Sequence, residues 1–186
     1  KYFIVEGDNG SPEVMVNPDA MGNAWFVDEV RCVDTPREES DALNAMDFSK
    51  QAVTDRKFSS MVLEPNTFSG EIALLSYAPD RLVYSSSCEG EKTAVFSDIY
   101  YPYGWKAYID GAPVEHFRVN YVLRALNAPA GEHEIMFEFR PDSIYKGFKV
   151  NALFRYIMYT LIISLIVASV LRELGKGPKW LRDWGA

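Results

Sequence analysis

Over residues 134–140 the side chains alternate. Ile135, Phe137 and Phe139 point one way, and Glu134, Met136, Glu138 and Arg140 the other. This period of two predicts a half-buried strand. Residues 24–33 form a longer strand candidate, rich in β-branched and aromatic residues. Shorter candidates follow at 51–54, 70–77, 81–87, 93–100, 105–109, 114–117 and 121–126. Turn residues punctuate them: Tyr77-Ala78-Pro79-Asp80, Cys88-Glu89-Gly90-Glu91, Pro129-Ala130-Gly131, and Asp110-Gly111 as a hairpin signal. One helix start stands out, with Thr35 as N-cap, Pro36 in the first helical position and Glu38 closing a capping box. That helix is expected to run to about Met46 and to bury Ala42, Leu43 and Met46. The Glu38-Glu39-Ser40-Asp41 run then reads as a solvated helix N-terminus, favoured by the helix dipole. The pattern predicts a mainly β fold, an antiparallel β-sandwich or jelly-roll-like domain with one short helix.

After Pro141-Asp142-Ser143 the pattern changes, with Ser143 placed to cap a new helix. Residues 156–171 carry no charge, and extending back to Ala152 gives 20 residues with one charge, Arg155. At about 1.5 Å per residue that is about 30 Å, the thickness of the hydrocarbon core. Thr160, Ser164 and Ser169 are its small polar residues, too few for the polar stripe of a globular helix. Arg155 lies where its stem can snorkel to the headgroups. Tyr156 and Tyr159 suit one interface, and Trp180 and Trp184 the other. The expected organisation is an extracytoplasmic domain over residues 1–142, a C-terminal transmembrane helix over 143–173 and a short basic cytoplasmic tail over 174–186.

Charge sharpens this division. The first 150 residues hold 14 Lys and Arg against 24 Asp and Glu, and the remaining 36 hold 5 against 2. An acidic body argues against nucleic acid as a partner, because phosphate neutralisation needs clustered cations. The basic residues beyond the apolar run point to a lipid bilayer, with the body outside and the tail inside. Residues 1–5 form no signal pattern, which places any export signal upstream of Lys1. Cys32 and Cys88 lie 56 positions apart, with neither metal spacing nor a CxxC motif. They read either as two small buried hydrophobes or as one disulfide.

The candidate chemistry is that of binding. Tyr100, Tyr101, Tyr103 and Trp105 stand at a turn, where exposed rings can stack on sugar faces; the alternative is that they fill the core or a membrane-facing edge. Alternation over 116–121 puts His116, Arg118 and Asn120 on one sheet face, a row suited to an anionic group such as phosphate, or to a purely structural network. Arg124 fits either arrangement. His116 and His133 stand beside no nucleophile motif, and no Ca-loop, HExxH or Gly-rich phosphate loop occurs. No catalytic residue, metal ligand or cofactor is assigned.

The ordered set Tyr100-Tyr101-Pro102, Gly104-Trp105, Tyr108-Ile109-Asp110-Gly111, Arg118-Val119-Asn120-Tyr121, Arg124 and Pro129-Ala130-Gly131-Glu132-His133, followed at once by an apolar span, resembles the C-terminal region of the bacterial YfhO-type membrane proteins. The segment from Asn17-Pro18-Asp19-Ala20 to Trp25-Phe26-Val27 resembles members from Bacteroidetes-like bacteria. The resemblance implies a polytopic parent in the bacterial cytoplasmic membrane, similar to GT-C glycosyltransferases that use a polyprenyl-phosphate sugar to modify cell-envelope polymers. It implies partners in the parent's remaining transmembrane helices and in a polyprenyl-linked sugar or envelope glycan. In that class the catalytic acids lie in an early loop absent from this chain, so nothing catalytic carries over. A membrane-anchored carbohydrate-binding or adhesion module and a purely structural domain bracing the parent are the alternatives.

Overall fold

The computed structural model describes residues 2–7, 10–176 and 178. In chain order the strands are β1 (Tyr2–Glu6), β2 (Pro12–Val16), β3 (Ala24–Val27), β4 (Glu29–Val33), β5 (Gln51–Asp55), β6 (Gly70–Ala78), β7 (Arg81–Cys88), β8 (Lys92–Ile99), β9 (Trp105–Ile109), β10 (Ala112–Val114), β11 (Phe117–Val119), β12 (Leu123–Ala128) and β13 (Gly131–Phe139). Helix α1 spans Pro36–Leu43, a 3-10 helix spans Arg56–Met61, and α2 spans Asp142–Glu173. The fold is mainly β, with a short helix and a long apolar C-terminal one. The chain divides after Arg140 into two compact units.

In the first unit two antiparallel sheets carry the architecture, ordered β10-β9-β13-β7-β6 and β11-β12-β8-β3. Their facing side chains form one core, including Tyr84, Phe96, Leu126, Ile135 and Phe137. Phe96 and Phe137 meet across the sheets edge to face, with ring centroids 4.8 Å apart, and Tyr84 lies 4.9 Å from Phe96. The expected sandwich is therefore present. A second core, including Val27, Val30, Ala52, Val95, Phe117 and Val119, covers the opposite face of the four-stranded sheet. Ala94, Val95 and Phe96 are consecutive and all fully buried. A strand covered on both faces needs a continuous apolar run, and Ala94-Val95-Phe96 supplies it.

The predicted strand over 24–33 is two strands in different sheets. The break is at Asp28, whose N–H donates to the Lys50 carbonyl at 2.7 Å and whose carboxylate holds Lys92 Nζ at 2.6 Å. Beyond it β4 pairs in parallel with β5, the connection running through α1. Thr35 caps α1 by accepting the Glu38 N–H at 3.2 Å, as its sequence requires, and Glu38 in turn accepts the Asp34 N–H. The helix stops at Leu43, before the expected Met46. The predicted partner strand over 114–117 also divides. β10 pairs with β9, whereas β11 joins β12 in the other sheet, so the chain crosses between sheets at Glu115-His116. Asp110 and Gly111 both adopt left-handed backbone, φ 49° and 80°, as a tight hairpin requires. Cys32 and Cys88 are both free thiols, and Cys88 donates to the Pro129 carbonyl. The hairpin β1–β2 has no counterpart in the sequence reading.

The second unit is α2, long and apolar enough to cross a membrane, with a mean hydropathy of 1.9 and none of the span buried. Pro141 occupies its N-cap position and no side chain caps it, so Ser143 does not serve as the cap. Thr160 and Ser164 return their hydroxyls to the carbonyls of Ile157 and Leu161 at 2.7 Å, so the helix presents no unsatisfied hydroxyl there. Trp180, Trp184 and most of the basic tail lie outside the described residues.

Phe137 belongs to the central core and Met136 faces outward from the same strand. Phe137→Ala is expected to cost about 3–5 kcal/mol, through lost transfer energy and a cavity, and Met136→Ala about 1 kcal/mol. Urea unfolding of the full chain in detergent, followed by tryptophan fluorescence, measures both.

Candidate functional site

An open cleft of about 560 Å³ lies between the 3-10 helix and the β9–β10 edge. Phe58, Tyr100, Trp105, Tyr108 and His116 line it, with Lys57 at its mouth. The 3-10 helix is fixed at both ends: Asp55 caps it by accepting the Lys57 N–H at 2.9 Å, and Asn127 donates to the Met61 carbonyl at 2.7 Å. Phe58 packs edge-on to Tyr100 at 5.7 Å, and Tyr100 edge-on to His116 at 5.3 Å. Trp105 enters from the first position of β9, so its ring forms part of the wall. It is open to solvent, and its lining mixes aromatic rings with polar and charged side chains.

Behind that wall lies Arg124. Its neighbours alternate normally on β12: Leu126 and Ala128 share its face and fill the central core, so Arg124 occupies an inward position that the pattern gives to a hydrophobe. It is 1 % exposed. The guanidinium lies 4.5 Å from the Trp105 ring and 4.4 Å from the Phe137 ring, a cation–π sandwich. Nη2 donates to the Ile99 carbonyl at 3.2 Å, while buried Nε and Nη1 have no partner. Burial lowers its pKa to about 10, with Asp98 and Tyr84 opposing the shift, so it stays a cation near neutral pH. His116 Nε2 is likewise buried without a partner. Burial, and secondarily the Arg124 charge, push the imidazole down to about 4.

The other residues of the predicted row go elsewhere. Arg118 pairs with Glu39 at 2.6 Å, and the other Glu39 oxygen accepts the Tyr121 N–H at 2.8 Å. Asn120 has φ 48° and clamps Val53, whose N–H it receives at 3.0 Å and whose carbonyl takes the Asn120 N–H at 2.7 Å. Tyr121 follows at φ 70°, uncommon for a bulky residue and held here by Glu39. The row of His116, Arg118 and Asn120 is therefore broken: the strand ends at Val119, the left-handed turn redirects Asn120, and His116 stacks on Tyr100 and Phe137. Glu39, expected in a solvated run, is 1 % exposed. The missed signal was spacing, since Glu39, Ala42 and Leu43 stand at i, i+3 and i+4 of one helix face.

Tyr101 and Tyr103 sit on the turn before β9, half and mostly exposed, their rings 5.9 Å apart. Tyr101 stacks on Phe139 at 6.4 Å, and Phe139 lies 5.2 Å from Trp105. Gly104 permits this, because a Cβ there would lie 2.2 Å from the Phe139 ring. Among the predicted residues the structure thus brings Trp105 and His116 to one cleft with Arg124 behind them. Tyr101 and Tyr103 form a neighbouring exposed pair. Tyr100, read with that cluster, lines the cleft, whereas Phe58 and Tyr108 carry no binding signal in the sequence, because they come from the 3-10 helix and β9, far apart along the chain. No group of three or more His, Cys, Asp or Glu is placed to hold a metal among the described residues. No family model, curated protein or solved structure matches the chain.

Two measurements test this geometry. A histidine at about 6.5 when unfolded and about 4 when folded gains a proton on unfolding between those values. Its contribution is therefore complete above pH 6.5 and lost as the pH falls through 4. His133, raised by its bond to Asp110, acts in the opposite sense but is common to both proteins compared. His116→Phe is expected to reduce the loss of stability between pH 6.5 and 4 by on the order of 1–2 kcal/mol, allowing for screening. Glu39→Gln is expected to cost about 2 kcal/mol by leaving Arg118 with only its longer pairing to Asp55 at 3.8 Å, and Glu38→Gln under about 1 kcal/mol; thermal unfolding at neutral pH compares them.

Proposed function

We propose that this chain is the non-catalytic, extracytoplasmic C-terminal domain of a YfhO-like protein of the bacterial cytoplasmic membrane. In this reading α2 anchors the sandwich, and the parent transfers sugars from a polyprenyl-phosphate donor to cell-envelope polymers. The observation that carries the anchoring is α2 itself, 32 residues with no buried face, which leaves lipid or neighbouring helices as its surroundings. The resemblance of the segment from Tyr100 to His133 supports the family reading. The domain's own role is to contact glycan beside the transferase.

A second reading is a singly anchored carbohydrate-binding or adhesion module. The aromatic cleft and the exposed Tyr101–Tyr103 pair favour it, because stacked rings can hold sugar faces without any catalytic group. A domain that only braces its parent needs no such cleft.

Reporter fusions along the reading frame upstream of Lys1 separate the first two readings. Many spans with an acidic pair in the first outward loop support the transferase parent; a signal peptide directly before Lys1 and no further span support the singly anchored module. For the chain itself, alkaline carbonate washing is expected to leave the full protein in the membrane. Truncation after Arg140 is expected to release the sandwich to the soluble fraction, and retention of the truncated form contradicts α2 as the anchor.

A further inference from the structure

We infer that one end of the sandwich, formed by residues 77–81, 99–104, 119–123 and 139–140, rests in the headgroup layer of the membrane that α2 crosses, with four exposed tyrosines as its contact. The inference rests on the reading of α2 as the anchor and adds a second, peripheral contact with lipid.

Strand direction assembles this end. β6 runs into β7 through Pro79-Asp80, β8 ends at Ile99, β9 starts at Trp105, and β11 turns into β12 at Asn120-Tyr121. β13 arrives antiparallel to β7 and β9, so Phe139 at its end pairs with Trp105. Backbone hydrogen bonds join the segments. The Phe139 N–H donates to the Asp80 carbonyl and the Arg140 N–H to the Gly104 carbonyl, each at 2.7 Å, and the Tyr100 N–H donates to the Val122 carbonyl at 2.8 Å. From here the chain passes through Pro141 into α2.

The two ends of the sandwich differ in chemistry. Tyr77, Ile99 and Tyr103 are 71, 70 and 78 % exposed, and Tyr101, Tyr121 and Val122 about half. These segments hold one carboxylate, Asp80. The turns at the opposite end, residues 88–92, 109–112 and 128–132, hold four, all exposed: Glu89, Glu91, Asp110 and Glu132. Those turns expose no large hydrophobe, although half-exposed Phe68 packs against Gly90 beside them. Tyrosine, an apolar ring with a hydroxyl at its tip, suits the membrane–water interface, whereas a carboxylate moved into that layer loses hydration. None of the four tyrosines lines the cleft, so they form a rim and not a groove. The cleft keeps its own rings, Phe58, Tyr100, Trp105 and Tyr108, for a glycan. Two of the rim tyrosines are fixed in place. Tyr121 is held in left-handed backbone by Glu39, and Tyr101 stacks on Phe139, an approach that Gly104 admits.

The length of α2 brings lipid within reach of this rim. Its 32 residues span about 48 Å at about 1.5 Å each, against about 40–45 Å for a bilayer with its headgroups. Ile144, Tyr145 and Phe148, all exposed, are interspersed with Lys146 and Lys149, the mixture of an interfacial segment. Little of the helix is left to lift the rim clear of the headgroups.

The test uses the full chain at one copy per nanodisc, with a fluorophore on Tyr77→Cys, Tyr103→Cys, Glu89→Cys or Ile163→Cys. Each is made in a Cys32→Ser background with buried Cys88 unchanged. Lipids spin-labelled at the headgroup or at mid-chain quench a fluorophore they touch. Headgroup-labelled lipid is expected to quench at Tyr77 and Tyr103 several-fold more than at Glu89, and mid-chain-labelled lipid to quench at Ile163. Tyr101→Ser combined with Tyr103→Ser is expected to lower the quenching at Tyr77 several-fold, with near-UV circular dichroism confirming that the variant is folded. No mid-chain quenching at Ile163 overturns α2 as the anchor and the inference with it. Quenching at Ile163 with equal headgroup quenching at Tyr77, Tyr103 and Glu89 overturns the inference alone and leaves the anchor standing. Quenching at Tyr77 that survives the double substitution overturns the tyrosines as the contact. Shielding of the rim from a water-soluble quencher only when several copies share a disc assigns the rim to a second copy and overturns the lipid contact.

Discussion

Strand β8 is buried on both faces, and the rest of the sandwich follows from that. Ala94 and Phe96 face the five-stranded sheet while Val95 faces β4, β5 and the 3-10 helix. One strand thus serves two cores, and the body becomes a sandwich with a third, partial layer. The aromatic contact between Phe96 and Phe137 fixes how the two large sheets meet. The parallel pair β4–β5 exists because the opposite face of β8 must also be covered. That extra layer ends in the 3-10 helix, which is one wall of the cleft.

Two buried polar networks sit within this frame, and both depart from ordinary core chemistry. Glu39 reaches from α1 to Arg118 and to the backbone of Tyr121, and so holds a left-handed turn in place. Its geometry is saturated, with short contacts to both oxygens, which identifies it as a structural latch. Arg124 is the reverse case. Its guanidinium is held by rings more than by hydrogen bonds and keeps two unused nitrogens. Neither guanidinium is fully satisfied, because Arg118 Nε is also buried without a partner.

Much of the architecture was legible in the sequence. The alternation over 134–140, the Thr35-Pro36 helix start, the Asp110-Gly111 turn and the apolar C-terminal run each carry a local signal, and each appears where it was read. What was missed depends on long-range pairing. Asp28 splits an apparently continuous strand because its backbone meets Lys50. Arg118 and Asn120 leave their row because partners far away in sequence, Glu39 and Val53, claim them. Within the cleft, Trp105 and His116 were visible as types, but Phe58 and Lys57 reach it from the 3-10 helix after β5, far away in sequence. The hairpin β1–β2, whose large side chains are exposed on both faces, bears no such tertiary signature in its sequence.

In the proposed function the aromatic cleft lies on the outer side of a membrane, in a chain anchored by α2. The most direct measurement of that claim is labelling of Ser60→Cys, an exposed residue lining the cleft, in a Cys32→Ser background, with a membrane-impermeant maleimide in intact cells of the native bacterium with a permeable outer layer. The proposed function predicts labelling before the cytoplasmic membrane is opened. Labelling only after the cytoplasmic membrane is opened contradicts it, because the sandwich and its cleft are then on the inner side.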